Sequence, residues 1–290
     1  MGESKVEVKE GILVRIAEAY RGIGQNVWYV LFLAMVIIPM VYPLGLPIGI
    51  SQATKDYKAG IDAAKDGGIL LISVDYCTGG EGPGLPAAVD TIKYAITRKH
   101  MKIVNIGFLM PVVGQLAENV FAQVPWESYG YVYGTDYVNC GFYIGLEAAV
   151  AAIASDFQSV VKKDFRGNTL DQLSLLQQIH TDKDIALVVA LSDYSSSNAY
   201  WARQWPDAPE RPLIQGGIAA DILPFYPGSV RGYLDNSGSG PAEFEVVAGI
   251  PGKAVIGSDI ISMGQTFLLV VIILTYITYW IVRLQKKEVK

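Results

Sequence analysis

The hydrophobic and polar positions along the chain fall into three regimes. Near each end lies a long apolar run, and between them apolar and polar residues alternate. Residues 28–50, WYVLFLAMVIIPMVYPLGLPIGI, carry no Asp, Glu, Lys, Arg or His over 23 residues. As a helix rising ~1.5 Å per residue this run reaches roughly 34 Å, enough to cross the hydrocarbon core of a bilayer. Residues 261–282, ISMGQTFLLVVIILTYITYWIV, form a second run of the same kind. Trp28, Tyr279 and Trp280 stand where interfacial aromatics belong. Both runs are expected to be transmembrane helices. Pro39, Pro43 and Pro47 fall in the second half of the first, which should kink or unwind there. Ahead of it, residues 10–24 place Ile12, Leu13, Ile16, Tyr20 and Ile23 near helical spacing, with Arg15, Glu18 and Arg21 elsewhere. That pattern predicts an amphipathic helix on the inner membrane surface or against a partner.

The middle of the chain reads differently. ILLISVD (69–75) and IALVVALSD (185–193) are continuous apolar runs of the length and kind buried on both faces of a parallel sheet. KIVNIGFL (102–109), YVNCGF (137–142), PLIQGGI (212–218) and KAVIG (253–257) are shorter candidates for strands. Helical patterns cover 51–68, 85–100, 113–124, 146–161 and 169–180, while DNSGSGP (235–241) reads as a flexible surface loop. Strands and helices in this alternation predict an α/β fold, a doubly wound, mostly parallel sheet with Rossmann-like layers, set between two transmembrane helices.

The expected organisation is a cytoplasmic amphipathic segment (1–27), a transmembrane helix (28–50), an extracytoplasmic α/β domain (51–260), a second transmembrane helix (261–283) and a basic cytoplasmic tail (284–290). The first run is too long for a cleaved signal core and lacks a small-x-small site, so an uncleaved signal anchor is expected. Charge sets the orientation. RLQKKEVK after the second run holds four basic residues and one acid, whereas GKAVIGSD before it holds one of each. That asymmetry puts both termini in the cytoplasm. The enclosed segment carries 15 basic and 23 acidic residues, a net of −8. It should be soluble and repelled by anionic headgroups, and it offers no surface for nucleic acid.

In open α/β sheets ligands gather outside the carboxyl ends of the strands. Two exits share a design: Asp75 runs into YCTGGEGPG, with Thr78 and Gly79, and Asp193 into YSSSN, with Ser195. Gly217 closes a third strand. Asp75, Thr78, Gly79, Asp193, Ser195 and Gly217 are the candidate contacts to a small polar ligand. Asp75 and Asp193 could face each other as an acid pair; the simpler alternative is that each caps the loop after its strand. Phosphate binding is disfavoured, because neither GxGxxG nor GxxxxGK[ST] is present and Asp75 and Glu81 would repel it.

No catalytic residue is assigned. Ser73, Ser192 and Ser195–Ser197 stand near strand exits, but there is no GxSxG elbow. The two histidines, His100 and His180, precede strands and so belong at the opposite end of the sheet. No cofactor and no metal is expected; two cysteines, Cys77 and Cys140, with no CxxC argue against a zinc cluster. The two cysteines either pair in an oxidising compartment or are small buried apolar residues.

Aromatic residues concentrate in 125–145 and 199–212. Trp126, Tyr129, Tyr131, Trp201, Arg203 and Trp205 are of the types enriched at interface hot spots, and a protein contact surface is expected there. The expected function is therefore a non-catalytic, membrane-anchored protein whose α/β domain is an assembly subunit or ligand-binding component of a membrane complex. Its partners would be the lipid bilayer, other subunits or a second copy, and a small polar ligand. The alternative is a membrane-anchored hydrolase, a peptidase or esterase, using strand-exit Ser or Asp residues.

Overall fold

The computed structural model describes residues 12–76, 81–206 and 208–288, without the side chains of 81–83 and 285–288. Cys77, Thr78 and Gly79 lie outside the described residues. The chain divides into two compact units, Pro47–Val255 and the flanking Met1–Leu46 with Ile256–Lys290.

The larger unit is an α/β domain. It opens with α3 (Gln52–Ala63), capped by Ser51, whose hydroxyl accepts the Thr54 N–H. There follow β1 (Ile69–Asp75), α4 (Glu81–Lys99), β2 (Lys102–Gly107), α5 (Val113–Phe121) and β3 (Tyr137–Phe142). The second half holds α6 (Glu147–Ser155), α7 (Phe157–Val160), β4 (Leu187–Ser192), α8 (Ser195–Gln204), β5 (Leu213–Gly217), α9 (Ala219–Ile222), β6 (Tyr233–Asp235) and α10 (Gly240–Ala248). The six strands form one all-parallel sheet in the order β3-β2-β1-β4-β5-β6.

Helices cover both faces. Leu70, Ile72 and Val74 of β1 join Leu187, Val189 and Ile214 in a core roofed by α3, α4, α5 and α10. Ile69 and Leu71 join Val104, Val138, Val188 and Leu213 under α6, α7, α8 and α9. With both sides covered, all seven residues of β1 and all six of β4 are buried. This is why those two strands read as unbroken apolar runs rather than as alternations.

Several expected elements differ. The helix expected over 169–180 is instead two single 3₁₀ turns, Leu170–Gln172 and Leu176–Gln178. Leu173, Leu175, Leu176 and Ile179 are all buried, although their spacing would also suit one face of a helix. The helix over 146–161 breaks at Asp156, which leaves helical geometry (φ −153°) and caps α7 by accepting the Ser159 N–H. The strand expected at 253–257 is the opening of a long helix, α11 (Lys253–Glu288). Its first N–H groups are claimed by the buried Glu245 carboxylate, which accepts from Gly252, Ala254 and Val255, each at 2.8 Å. The segment 235–241 is not a loose loop. Asp235 ends β6, binds the Ala219 N–H at 3.3 Å and the Ser237 N–H at 3.0 Å, and Gly240 opens α10.

The flanking unit contains α1 (Ile12–Arg21), α2 (Gln25–Val41) and the body of α11. The first apolar run is helical only to Val41; Pro39 lies inside the last turn, and 42–50 has no regular structure. α2 and α11 run antiparallel. Tyr20 donates to the Val271 carbonyl at 3.0 Å, Phe32 meets the Phe267 ring at 5.9 Å, and the Asp259 carboxylate takes the N–H groups of Leu44, Gly45 and Leu46 at 2.8–2.9 Å. One described helix, Lys253–Leu284, is long and apolar enough to cross a membrane; α1 and α2 meet that test only as a pair bent by 83°. The early end of α2 is the unwinding that its prolines predict; of the two expected spans, one is a single long helix and the other is matched only by a bent pair.

Candidate functional site

The strand order reverses between β1 and β4, since β1 leads outward to β2 and β3 and β4 leads the other way to β5 and β6. A crevice at such a switch point, outside the carboxyl ends of the strands, is where this architecture receives ligands. Asp75 ends β1, Ser192 ends β4, and the two are register partners.

Asp75 is fully buried. Its side chain shares a face with Ser73, two residues back. One carboxylate oxygen accepts the N–H groups of Phe108 (3.1 Å) and Leu109 (3.3 Å) in the β2–α5 loop. The other accepts the hydroxyls of Ser73 (2.8 Å) and Ser197 (3.0 Å), the latter in the first turn of α8. Four donors from three segments saturate the group. Burial pushes its pKa up, and these hydrogen bonds act in the opposite direction. Gly107 makes room for the arrangement, as a Cβ there would lie 2.8 Å from the carboxylate. Gly107 and Ser197 were not singled out from the sequence, although Ser197 stood in the strand-exit serine run.

The β4 exit is built on the same plan. Ser192 donates to the Asp75 carbonyl at 3.0 Å and accepts the Tyr194 N–H at 3.1 Å. Asn198 donates to the Ser192 carbonyl at 3.3 Å, and Gln215 of β5 donates to the Asn198 carbonyl at 2.8 Å. Carbonyl acceptors fix which end of each amide is nitrogen. The oxygens of Asn198 and Gln215 are then buried acceptors without a protein donor. On the opposite face of the sheet, Asn236 donates to the Tyr76 hydroxyl at 3.0 Å, and its own amide oxygen is also unmatched. Burial, and to a smaller extent Asn236, Tyr57 and Asp193, set the Tyr76 phenol, which is pushed well up.

No protein-family model, curated protein or solved structure matches this chain.

Of the expected ligand contacts, Asp75 is interior and committed to bracing, so it does not face Asp193 as one of two open acids. Asp193 is half-buried and Ser195 exposed at the mouth of α8. Gly217 is a packing position: a Cβ there would lie 2.3 Å from the Ser192 carbonyl and 2.7 Å from the Asn198 amide nitrogen. Thr78 and Gly79 lie outside the described residues. His100 and His180 are exposed, at the amino ends of β2 and β4, and so are remote from every strand-exit serine. Among the described residues there is no cluster of three or more metal-ligating side chains.

The aromatic interface expectation is corrected for three residues. Trp201 is fully buried, with Phe108 at 5.8 Å and Trp205 at 5.7 Å. Trp205 is buried beside it. Trp126 stacks on Tyr137 at 3.8 Å and donates to the Phe121 carbonyl. These rings fill the layers between sheet and helices, where a large apolar surface is most stabilising. Tyr129 and Tyr131 are half-buried against the core, and Arg203 forms a surface fork with Glu147. Cys140 is buried and free, and burial pushes its thiol pKa up.

Proposed function

We propose that this chain is a non-catalytic, membrane-anchored binding module. Its α/β domain receives a small neutral or cationic polar ligand at the switch point, as a component of a membrane assembly. The observation that carries the reading is the saturation of Asp75. A carboxylate holding four donors has no lone pair left for general base chemistry. Ser192 donates to the Asp75 main-chain carbonyl, which is no base, and Ser73 and Ser197 share a buried carboxylate that two backbone N–H groups already hold, with both histidines at the opposite end of the sheet. Beside that carboxylate, the amide oxygens of Asn198, Gln215 and Asn236 are acceptors without a protein donor, which suit a ligand rich in hydroxyl or ammonium donors and disfavour a phosphate.

The anchoring part of the proposal rests on α11 and on its antiparallel pairing with α2. Leu33, Ile37, Ile38 and Met40 of α2, and Leu268, Leu269, Ile272 and Ile273 of α11, are all exposed. A bilayer would cover them, with the two helices crossing in opposite senses and the domain on the outer side.

Thermal unfolding of the full chain in detergent micelles tests the ligand. Monosaccharides, amino acids and amines are expected to include a compound that raises the midpoint, since a ligand bound only by the folded state stabilises it by mass action. Asn236→Ala should reduce that shift. Stabilisation by nucleotides alone, or ester or peptide turnover lost in Ser192→Ala, would overturn the reading in favour of the hydrolase.

A further inference from the structure

α1 has a surface that the rest of its own unit does not cover. Val14 and Ala17 are buried, and Tyr20 is tied by its hydroxyl to Val271 and Thr275 of α11. Ile12, Leu13 and Ile16 are nevertheless 75%, 63% and 59% exposed. At 100° per residue these three fall within an arc of about 100°. Arg15, Glu18 and Arg21 occupy the remaining arc and are exposed as well. The helix axis turns by 83° from that of α2 across Gly22–Gly24. At the turn, Tyr20 meets Trp28 with ring centroids 5.2 Å apart.

We propose that α1 lies in the headgroup layer of the bilayer, parallel to its plane, with Ile12, Leu13 and Ile16 in the acyl boundary and Arg15 and Arg21 on anionic lipid phosphates. The inference rests on the reading of α2 and α11 as membrane helices. A helix nearly perpendicular to a spanning segment runs along the membrane surface. An apolar arc on such a helix finds hydrocarbon on one side, and a basic arc finds phosphate on the other. Tyr20 and Trp28, at the corner, are the residue types that settle at headgroup level. A protein groove would serve the apolar arc equally well. The two arginines on the flanking arc, and the continuity with the lipid-facing surface of α2, select the lipid.

Spin labels on the reconstituted full chain test this. Single cysteines replace Leu13, Ile16 and Glu18 in a Cys77→Ser background, where the buried Cys140 stays unlabelled. Vesicles are phosphatidylcholine with or without phosphatidylglycerol, and collision rates are read with oxygen, which partitions into lipid, and with a nickel chelate, which stays in water. Labels at 13 and 16 are expected to meet oxygen several-fold more than nickel, and the label at 18 the reverse. The contrast should sharpen with phosphatidylglycerol and shrink in Arg15→Gln with Arg21→Gln. Nickel access at 13 and 16 equal to that at 18 would overturn the proposal; so would exclusion of both reagents there, the mark of a covering protein. Labels replacing Leu33 and Ile273 separate the two readings. If they are lipid-exposed while 13 and 16 are not, only the surface helix falls. If they are water-exposed, the membrane reading falls with it.

Discussion

The carboxyl group of Asp90 on α4 lies in hydrogen-bond contact with that of Glu245 on α10, inside the α/β domain. Glu245 is fully buried and already holds three backbone N–H groups at the start of α11. Asp90 therefore keeps its proton: burial first, then the hydrogen bond and charge of Glu245, push its pKa up to about 7, against the opposing pull of Lys93 and Lys253.

This pair makes stability depend on pH in a definite direction. The unfolded chain releases the Asp90 proton near pH 4, the ordinary value of about 3.9, whereas the folded chain holds it to about 7. Between those values the native state binds more protons, so its stability falls as pH rises and levels off above about 7. Asp90→Asn supplies a permanent donor to Glu245. It should flatten this part of the profile and exceed the parent at pH 8 by about 2 kcal/mol, allowing for the residual exposure of the site. Urea unfolding at pH 5 and pH 8 measures both.

Glu245→Ala leaves the N–H groups of Gly252, Ala254 and Val255 without their acceptor. At ~1 kcal/mol for each lost bond, the expected cost is about 3 kcal/mol. Amide hydrogen exchange at these three residues should accelerate while exchange in β1 and β4 changes only with global stability. Glu245→Gln retains one acceptor oxygen and should cost less on both measures.

Asp75 invites a comparison between two variants. In Asp75→Asn the remaining oxygen can still take the N–H groups of Phe108 and Leu109, and the hydroxyls of Ser73 and Ser197 can rotate to accept from the new amide. Asp75→Ala orphans all four donors. The alanine variant should lose about 3 kcal/mol or more and the asparagine variant about 1–2 kcal/mol. Chemical denaturation followed by tryptophan fluorescence reads the difference; equal losses would mean that the four bonds are not what the carboxylate supplies.

Asp259 is the counterpart in the flanking unit, where its carboxylate closes on three successive N–H groups just beyond α2. Asp259→Ala should release the segment 43–46, at a cost of about 2–3 kcal/mol. Proteolysis in detergent at Leu44–Leu46 should rise several-fold, with the α/β domain unaffected.

Some of this was legible in advance. The unbroken apolar runs at 69–75 and 185–193 announce strands buried on both sides, and the structure places them at the centre of the sheet. Asp75 was visible as a strand-end acid, and capping was one of its two readings. Its four donors were not visible, because Phe108, Leu109 and Ser197 are brought to it from 33 to 122 residues away along the chain. The tryptophans misled for a related reason. Composition marks Trp201 and Trp205 as surface anchors or core alike, and only the approach of Phe108 and the sheet decides. The opening of α11 reads as a strand from KAVIG, yet a buried glutamate from another helix supplies the acceptors that start a helix there.

By itself the sequence determined the α/β alternation, the two apolar ends and the acidity of what lies between, because periodicity and hydropathy are properties of neighbouring residues. The tertiary structure decided the strand order, the interior placement of the tryptophans, the helical opening of α11 and the commitment of Asp75 to bracing. Each of those depends on which distant groups are brought within hydrogen-bond or van der Waals reach, and burial changes the free energy of a polar or aromatic side chain by more than local preference does.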